Sequence, residues 1–249
     1  MSKTYPVIPI RSWSASRYKD FSQCKFRAYL KYGLKIPEPP RQLPPGKTMH
    51  PNERGTMIHE AAELYVRGTG QYIPELRKFI PEFDSLRELY KAGMVSLEGE
   101  WAMSKNWEPM PWQGQWLEAP KGTPHNKTAK ILPERGKDDD IIKVGKQVWI
   151  WEPAWLRLKL DAIVFLSETE AVVIDYKSGK RFGNEITHAE QTQLYQLVAF
   201  IRYPKLEIIH TELWYLDIDE LICQTFLRHQ GMRFLNSFTK KGLDRKSVV

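Results

Sequence analysis

The sequence predicts a mixed α/β fold in which helices pack on a mixed central sheet. Two adjacent segments, 155–166 and 171–178, read as strands, the first with apolar and polar residues alternating with a period of two from Leu156 to Ala162. A helical segment at 185–203 follows them and leads into another strand. The wider order is helix, strand, strand, strand, helix, strand, which describes a sheet with helices on it. A long stretch, 104–146, interrupts that order and reads as an inserted arm within a single domain spanning 1–249.

The elements follow from local chemistry. Ser14 or Ser16 is suited to cap a first helix. Tyr18, Phe21, Cys24, Ala28 and Tyr32 then recur at steps of three and four, forming one apolar stripe, and Gly33 offers a stop. A proline-rich connector runs from Pro37 to Pro51. Gly55-Thr56 opens a second helix reaching about Arg67, and a third spans 74–92 with an interruption near Pro81. Met94 to Met103 reads as a strand. Residues 104–146, rich in Pro, Gly, Lys and Trp, show little periodicity. After the strands at 155–166 and 171–178, Glu185–Tyr203 is a helix ended by Pro204, 206–217 and 223–228 are strands, and 229–241 is a last helix.

Composition narrows the class. The chain has 249 residues, 42% hydrophobic and 27% charged, with no apolar run near the ~20 residues that span a bilayer. The start, Met1 to Pro9, lacks a signal-peptide core. Cys24 and Cys223 are the two cysteines, which suits reduced thiols in a cytosolic protein and excludes a four-cysteine metal or iron–sulfur site. Net charge is +7, and it is localised. Residues 1–47 hold ten Lys/Arg against Asp20 and Glu38, whereas the remainder is close to neutral. A local basic excess favours a polyanion, nucleic acid before membrane; a soluble basic surface is the plain alternative.

The strands at 155–166 and 171–178 carry the chemistry. On the first, Leu156, Leu158, Leu160, Ala162 and Val164 share one face and Arg157, Lys159 and Asp161 the other. On the second, Val173, Asp175 and Lys177 share a face. A hairpin centred on Glu168 sets Asp161 opposite Asp175, with Cβ atoms ~4.5–5.5 Å apart. Carboxylates that close repel unless a divalent cation sits between them. A solvated outer face, with Arg157, Lys159 and Lys177 neutralising the acids, is the competing reading.

These residues resemble a known family. Asp161…Asp175-Tyr176-Lys177 is similar to the core of the PD-(D/E)XK nuclease superfamily, with its restriction-endonuclease-like fold. Four further stretches resemble its RecB-like branch: Ser14 to Tyr29 its opening helix, Gly55-Thr56-Met57-Ile58-His59-Glu60 its histidine motif, Asp175 to Lys180 its central strand and turn, and Gln191-Thr192-Gln193-Leu194-Tyr195 its QxxxY motif. The matches fall in the family's order across 14–195, with 104–146 unmatched. The glycine that often precedes the first aspartate in this branch is absent, Leu158-Lys159-Leu160 standing there instead.

The resemblance implies roles. His59, Asp161 and Asp175 would be metal ligands, with the Tyr176 carbonyl a fourth. Lys177, with Asp161 and Asp175, would be catalytic. Gln191 and Tyr195, one helical turn apart, would face the site and DNA, and Glu98 or Glu100 would add a carboxylate. The metal would be Mg²⁺ or, with an imidazole ligand, Mn²⁺. No iron–sulfur cluster is expected, because only Cys223 lies late in the chain. The implied activity is that of a metal-dependent deoxyribonuclease, an exonuclease on single-stranded DNA or DNA ends in replication or recombination. A structure-selective endonuclease and a non-catalytic DNA-binding module are the alternatives, and oligomerisation and protein partners stay open.

Three features admit plainer readings. Arg27, Lys31 and Lys35, four apart, form a basic ridge that tracks phosphates or merely snorkels beside the apolar stripe. Seven of the nine tryptophans lie within 101–155, suited to core packing or to stacking unpaired bases. His59-Glu60-Ala61-Ala62-Glu63 has only half of a zinc-protease motif, Glu63 replacing the second histidine, and Asp138-Asp139-Asp140 reads as a solvated loop.

Overall fold

A computed structural model describes residues 10–40, 42–46, 48–134, 140–179 and 181–243, apart from the Glu98 side chain. The chain divides into a larger unit, Pro37–Gly99 with Lys159–Lys240, and a smaller one, Met1–Ile36 with Glu100–Leu158 and Lys241–Val249.

The larger unit holds helices α3 (Pro51–Arg67), α4 (Ile80–Lys91), α5 (Glu185–Arg202) and α6 (Arg228–Gly231), and most of α7 (Phe234–Leu243). Its sheet follows the order β10 (Glu220–Leu227), β9 (Ile208–Tyr215), β8 (Glu170–Lys177), β7 (Leu156–Phe165), β1 (Val95–Met103), the last two strands running on into the smaller unit. β7 and β8 form the expected hairpin. Phe165 pairs with Ala171 and Ala162 with Ile174, so the turn centres on Glu168. β8 and β9 are parallel, and α5 is the crossover between them.

The two faces of β8 are both covered. Ile174 and Tyr176 pack with Ala162, Val164, Ile58, Ala62, Phe83 and Trp214 in one apolar cluster under α3 and α4. Tyr176 meets Phe83 edge-on at 5.1 Å, and Phe83 meets Trp214 at 5.2 Å. Such pairs each add ~0.5–1.5 kcal/mol beyond area burial, so the strand carrying Asp175 and Lys177 rests on a rigid aromatic support. The opposite face carries Asp175, which is only 4% exposed. This is not the solvated outer face that competed with a functional reading.

The smaller unit holds α1 (Ala15–Gln23), α2 (Lys25–Ala28), a π-helical turn (Tyr29–Gly33), and the far ends of β1 and β7. β2 (Pro109–Met110) pairs with the end of β1. The stretch expected to lack periodicity supplies three strands of a separate four-stranded sheet, and the segment that follows it supplies the fourth. β3 (Gly114–Glu118), β4 (Lys127–Ala129), β5 (Ile141–Val144) and β6 (Gln147–Pro153) are arranged β3-β6-β5-β4, with β4 parallel to β5. Trp101, Trp107, Trp151 and Trp155 are buried, with Trp107 and Trp155 edge-to-face at 5.4 Å, so packing accounts for these four.

Other expectations shift. The first helix is not continuous: Cys24 leaves helical geometry at φ −156°, is exposed, and its thiol caps α2. Phe21, Ala28 and Tyr29 are the buried members of that segment. α3 begins a turn before Gly55, with Pro51 at its first position and Glu53 accepting from the His50 amide at 3.3 Å. The third helix divides as expected, a 3₁₀ turn at Pro74–Phe79 preceding α4. Of the Asp138–Asp140 loop, Asp138 and Asp139 lie outside the described residues. Asp140 is no solvated charge, since Lys127 Nζ donates to it at 2.6 Å. Among the described residues no helix is long and apolar enough to cross a membrane.

Candidate active site

The hairpin register, carried one step beyond Ala162–Ile174, brings Asp161 opposite Asp175. Asp161 does not simply face solvent. Its Oδ2 accepts from the Tyr176 amide at 2.5 Å, and its Oδ1 lies 2.6 Å from His59 Nδ1. His59 is delivered by α3, whose Ile58, Ala62 and Val66 anchor it in the apolar cluster. Gly55, one turn earlier on α3, has its own geometric reason: a Cβ there would sit 3.3 Å from Ser178 Oγ and push the turn after Lys177 by a few tenths of an ångström.

α5 supplies the other side. Lys177 ion-pairs with Asp175 Oδ2 and donates to Gln191 Oε1 at 2.7 Å. Gln191 Nε2 in turn donates to the Tyr195 hydroxyl at 2.5 Å. The hydroxyl has one proton, and the Lys159 carbonyl at 2.6 Å takes it; Asp175 Oδ1, at 3.3 Å, is a weaker neighbour. A relay therefore runs from the β7 backbone through Tyr195 and Gln191 to the Lys177 ammonium. Tyr195 is 4% exposed and its hydroxyl is spent on that relay, so the DNA contact expected of it is not on offer.

The electrostatics follow from burial and from the two acids. Burial raises the Asp161 carboxyl, the His59 bond opposes this, the Asp175 charge reinforces it, and the net is upward. Burial pulls His59 down, but the bond to Asp161 and the charges of both aspartates outweigh it. Burial and then the aspartate charges push the Tyr195 phenol well above its usual value, so it remains a donor.

A family model for the PD-(D/E)XK nuclease superfamily matches residues 12–229. The chain belongs to the PD-(D/E)XK nuclease superfamily. Its mixed α/β fold with helices flanking a mixed sheet agrees with that membership. PD-(D/E)XK nucleases generally use Mg²⁺ or a similar divalent metal. A solved structure titled "Crystal structure of SSO0001" is similar at 14% identity and a TM-score of 0.33, over 96% of this chain and 78% of that one. A comparison with curated proteins gave no match.

The residues of this PD-(D/E)XK chain suit a hard cation in part. Asp175 Oδ2 is buried and, despite the Lys177 ion pair, receives no hydrogen bond of ordinary geometry. It is an oxygen left short of donors beside a second carboxylate, the donor chemistry such an ion takes. Among the described residues no three His, Cys, Asp or Glu side chains already stand as a metal cage. Asp161 spends both oxygens on His59 and Tyr176, so His59 stands behind Asp161 as its hydrogen-bond partner.

The remaining expected residues lie elsewhere. The Glu98 side chain and Lys180 lie outside the described residues, and Glu100 is exposed. Arg27 and Lys31 do not form a free ridge. Both bind Asp20, Lys31 at 3.2 Å, and the Tyr32 hydroxyl donates to the same carboxylate at 2.6 Å. Lys35 falls past the π-helical turn with φ 55°, out of line with the other two. Glu63 bonds Arg67 Nε at 2.6 Å, which disposes of the zinc-protease reading. Composition pointed to neither Asp217, which Arg54 grips through two bonds of 2.8 and 2.9 Å, nor His188, whose Nδ1 lies 2.6 Å from the Tyr215 hydroxyl. Position signalled His188 alone, three residues before Gln191 on one helix.

Proposed function

We propose that this chain is a metal-dependent deoxyribonuclease, acting as an exonuclease on single-stranded DNA or DNA ends in replication or recombination. The observation that supports it is the opposition of Asp161 and Asp175, with the Lys177 ammonium held between Asp175 and Gln191. No structural demand explains this arrangement. Two acids and a lysine are set under a helix where apolar side chains would pack at lower cost.

Asp161 and Asp175 would hold Mg²⁺ or Mn²⁺, with His59 and the Tyr176 carbonyl completing the set. Bound there, the ion supplies an acidified water and polarises the phosphate. Lys177 sets a positive charge where the phosphate gains negative charge in the transition state. Gln191 and Tyr195 keep that ammonium from swinging to solvent. His59 orients Asp161 through Nδ1, 2.6 Å from Oδ1, and would bind the ion only through Nε2 as a neutral imidazole. Arg27, Lys31 and Lys35 would meet the DNA backbone, the first two only by drawing away from Asp20.

The test is cleavage of end-labelled single- and double-stranded DNA with Mg²⁺, with Mn²⁺ and with EDTA. Single-nucleotide products from single strands, absent in EDTA, are expected. Internal fragments would favour a structure-selective endonuclease. No cleavage with either metal would leave only a DNA-binding module.

A further inference from the structure

The face that carries Asp175 and Lys177 continues onto β9. Parallel pairing sets Asp175 beside Leu213, Lys177 beside Tyr215 and Val173 beside Thr211. Paired residues share a face, and neighbouring strands lie ~4.8 Å apart. Thr211, Leu213 and Tyr215 line a cavity of about 170 Å³, one strand spacing from the catalytic row. α5 contributes His188 and Thr192, from the helix that also carries Gln191 and Tyr195, and Ile222 of β10 adds an apolar side.

The lining says what would fit. Thr192, Thr211 and Tyr215 are 3%, 2% and 1% exposed. Thr192 Oγ1 donates to the Ala189 carbonyl at 2.9 Å, which leaves its oxygen able to accept. The edge offers no spare positive charge: Arg181 is ion-paired with Glu220, and Glu185 adds a negative one. A phosphate would find no uncompensated cation there. A flat neutral group with apolar faces and a hydrogen-bonding edge would find both of its needs met. Phe182, between Arg181 and Glu185 in the chain, is 81% exposed, an aromatic ring offered to solvent beside the lining. Exposed rings of this kind stack on unpaired bases.

We propose that this cavity takes one unpaired nucleobase of the DNA strand, the base next to the phosphate held at Asp161, Asp175 and Lys177. This rests on the nuclease reading and gives its single-strand preference a physical cause. A base paired and stacked in a duplex reaches such a cavity only by first being extruded.

The experiment compares two short oligomers with equal numbers of phosphates, oligothymidylate and a fully abasic chain, in EDTA by fluorescence anisotropy. Equal phosphates give both the same electrostatic attraction. The wild-type protein should bind the thymidylate about fivefold or more tightly, the lower end of what one stacked base contributes. Thr192→Leu, and separately Ala189→Val, fill the cavity from different positions on α5. Either folded variant should lose most of that preference and bind the abasic chain as the wild type does. Equal binding of the two oligomers by the wild type overturns the proposal without any variant, as does binding to neither. A folded, filled variant that keeps the full preference overturns it too. Cleavage with Mn²⁺ is read separately, so loss of the nuclease reading is not confused with loss of the base site.

Discussion

Tyr195→Phe removes one oxygen and nothing else, and the geometry says what should follow. The hydroxyl donates to the Lys159 carbonyl at 2.6 Å and accepts from Gln191 Nε2 at 2.5 Å, at a site 4% exposed. Its loss leaves a buried carbonyl without this donor and a side-chain amide without its acceptor. A buried group stranded in this way costs ~1–3 kcal/mol, and the retained ring creates no cavity. Taking ~2 kcal/mol, and ~2–4 °C per kcal/mol for a chain of this size, the melting temperature should fall by about 4–8 °C. Gln191 also loses the contact that fixes its orientation, so its Oε1 no longer holds Lys177 in place. The single-turnover rate should fall roughly tenfold, ~1.4 kcal/mol, with DNA affinity nearly unchanged. Calorimetry and a quench assay read the two effects independently. An unchanged melting temperature would show that the hydroxyl holds nothing. A destabilised variant that cleaves at the wild-type rate would refute the relay to Lys177.

His59→Ala should weaken cleavage and alter the ratio of Mn²⁺ to Mg²⁺ activity, since an imidazole favours the softer ion; an unaltered ratio over a metal titration would make His59 a purely structural partner of Asp161. Asp20→Ala should release Arg27 and Lys31, raising DNA affinity at low salt and steepening its salt dependence by about one unit per added phosphate contact. Binding that is unchanged at every salt concentration would remove these residues from the DNA path. The Arg54 bond, opposed by partial burial, holds the Asp217 carboxyl below its ordinary value. That stability is complete above the unfolded carboxyl value of ~3.9 and is lost as pH falls through the lower folded value. Arg54→Ala should therefore cost up to about 1 kcal/mol at pH 7, with the gap from wild type closing at strongly acid pH in urea titrations. A gap that holds constant with pH would contradict this.

The legible part of the molecule is the part with long, regular periods. The β7–β8 register was readable because seven residues, Leu156 to Ala162, alternate cleanly and the polar stretch Ser167 to Glu170 suits a turn centred on Glu168. The Leu166 and Ser167 amides both donate to the Glu170 carbonyl, closing that turn as expected. The break at Cys24 was hidden because the apolar stripe passes through it unchanged; what interrupts the helix is a backbone rotation that no side-chain pattern records. The second sheet was hidden for another reason. Its strands β3, β4 and β5 run three to five residues, too short to show a period. Asp161, Asp175 and Lys177 were nameable from the strand pattern, and His59, Gln191 and Tyr195 only from the family resemblance; the partners of these residues were not nameable from either. That Tyr195 turns inward to Lys159, or that Asp20 binds Arg27 and Lys31, depends on packing between segments distant in sequence or on a helix that breaks.

The central claim is that Asp161, Asp175 and Lys177 together hydrolyse phosphodiester bonds with a divalent metal. The most direct measurement is single-turnover cleavage of single-stranded DNA in Mn²⁺ by the wild type and by Asp175→Asn, each first shown to be folded by its melting curve. Asp175→Asn keeps the shape and removes the charge that faces Asp161, while it also breaks the ion pair to Lys177, so the melting curve serves to show that the variant is folded before its rate is read. Its cleavage rate should fall by a factor on the order of 100 or more, the scale of losing an electrostatic group from the transition state. A folded Asp175→Asn protein that cleaves within a few-fold of the wild-type rate would contradict the account.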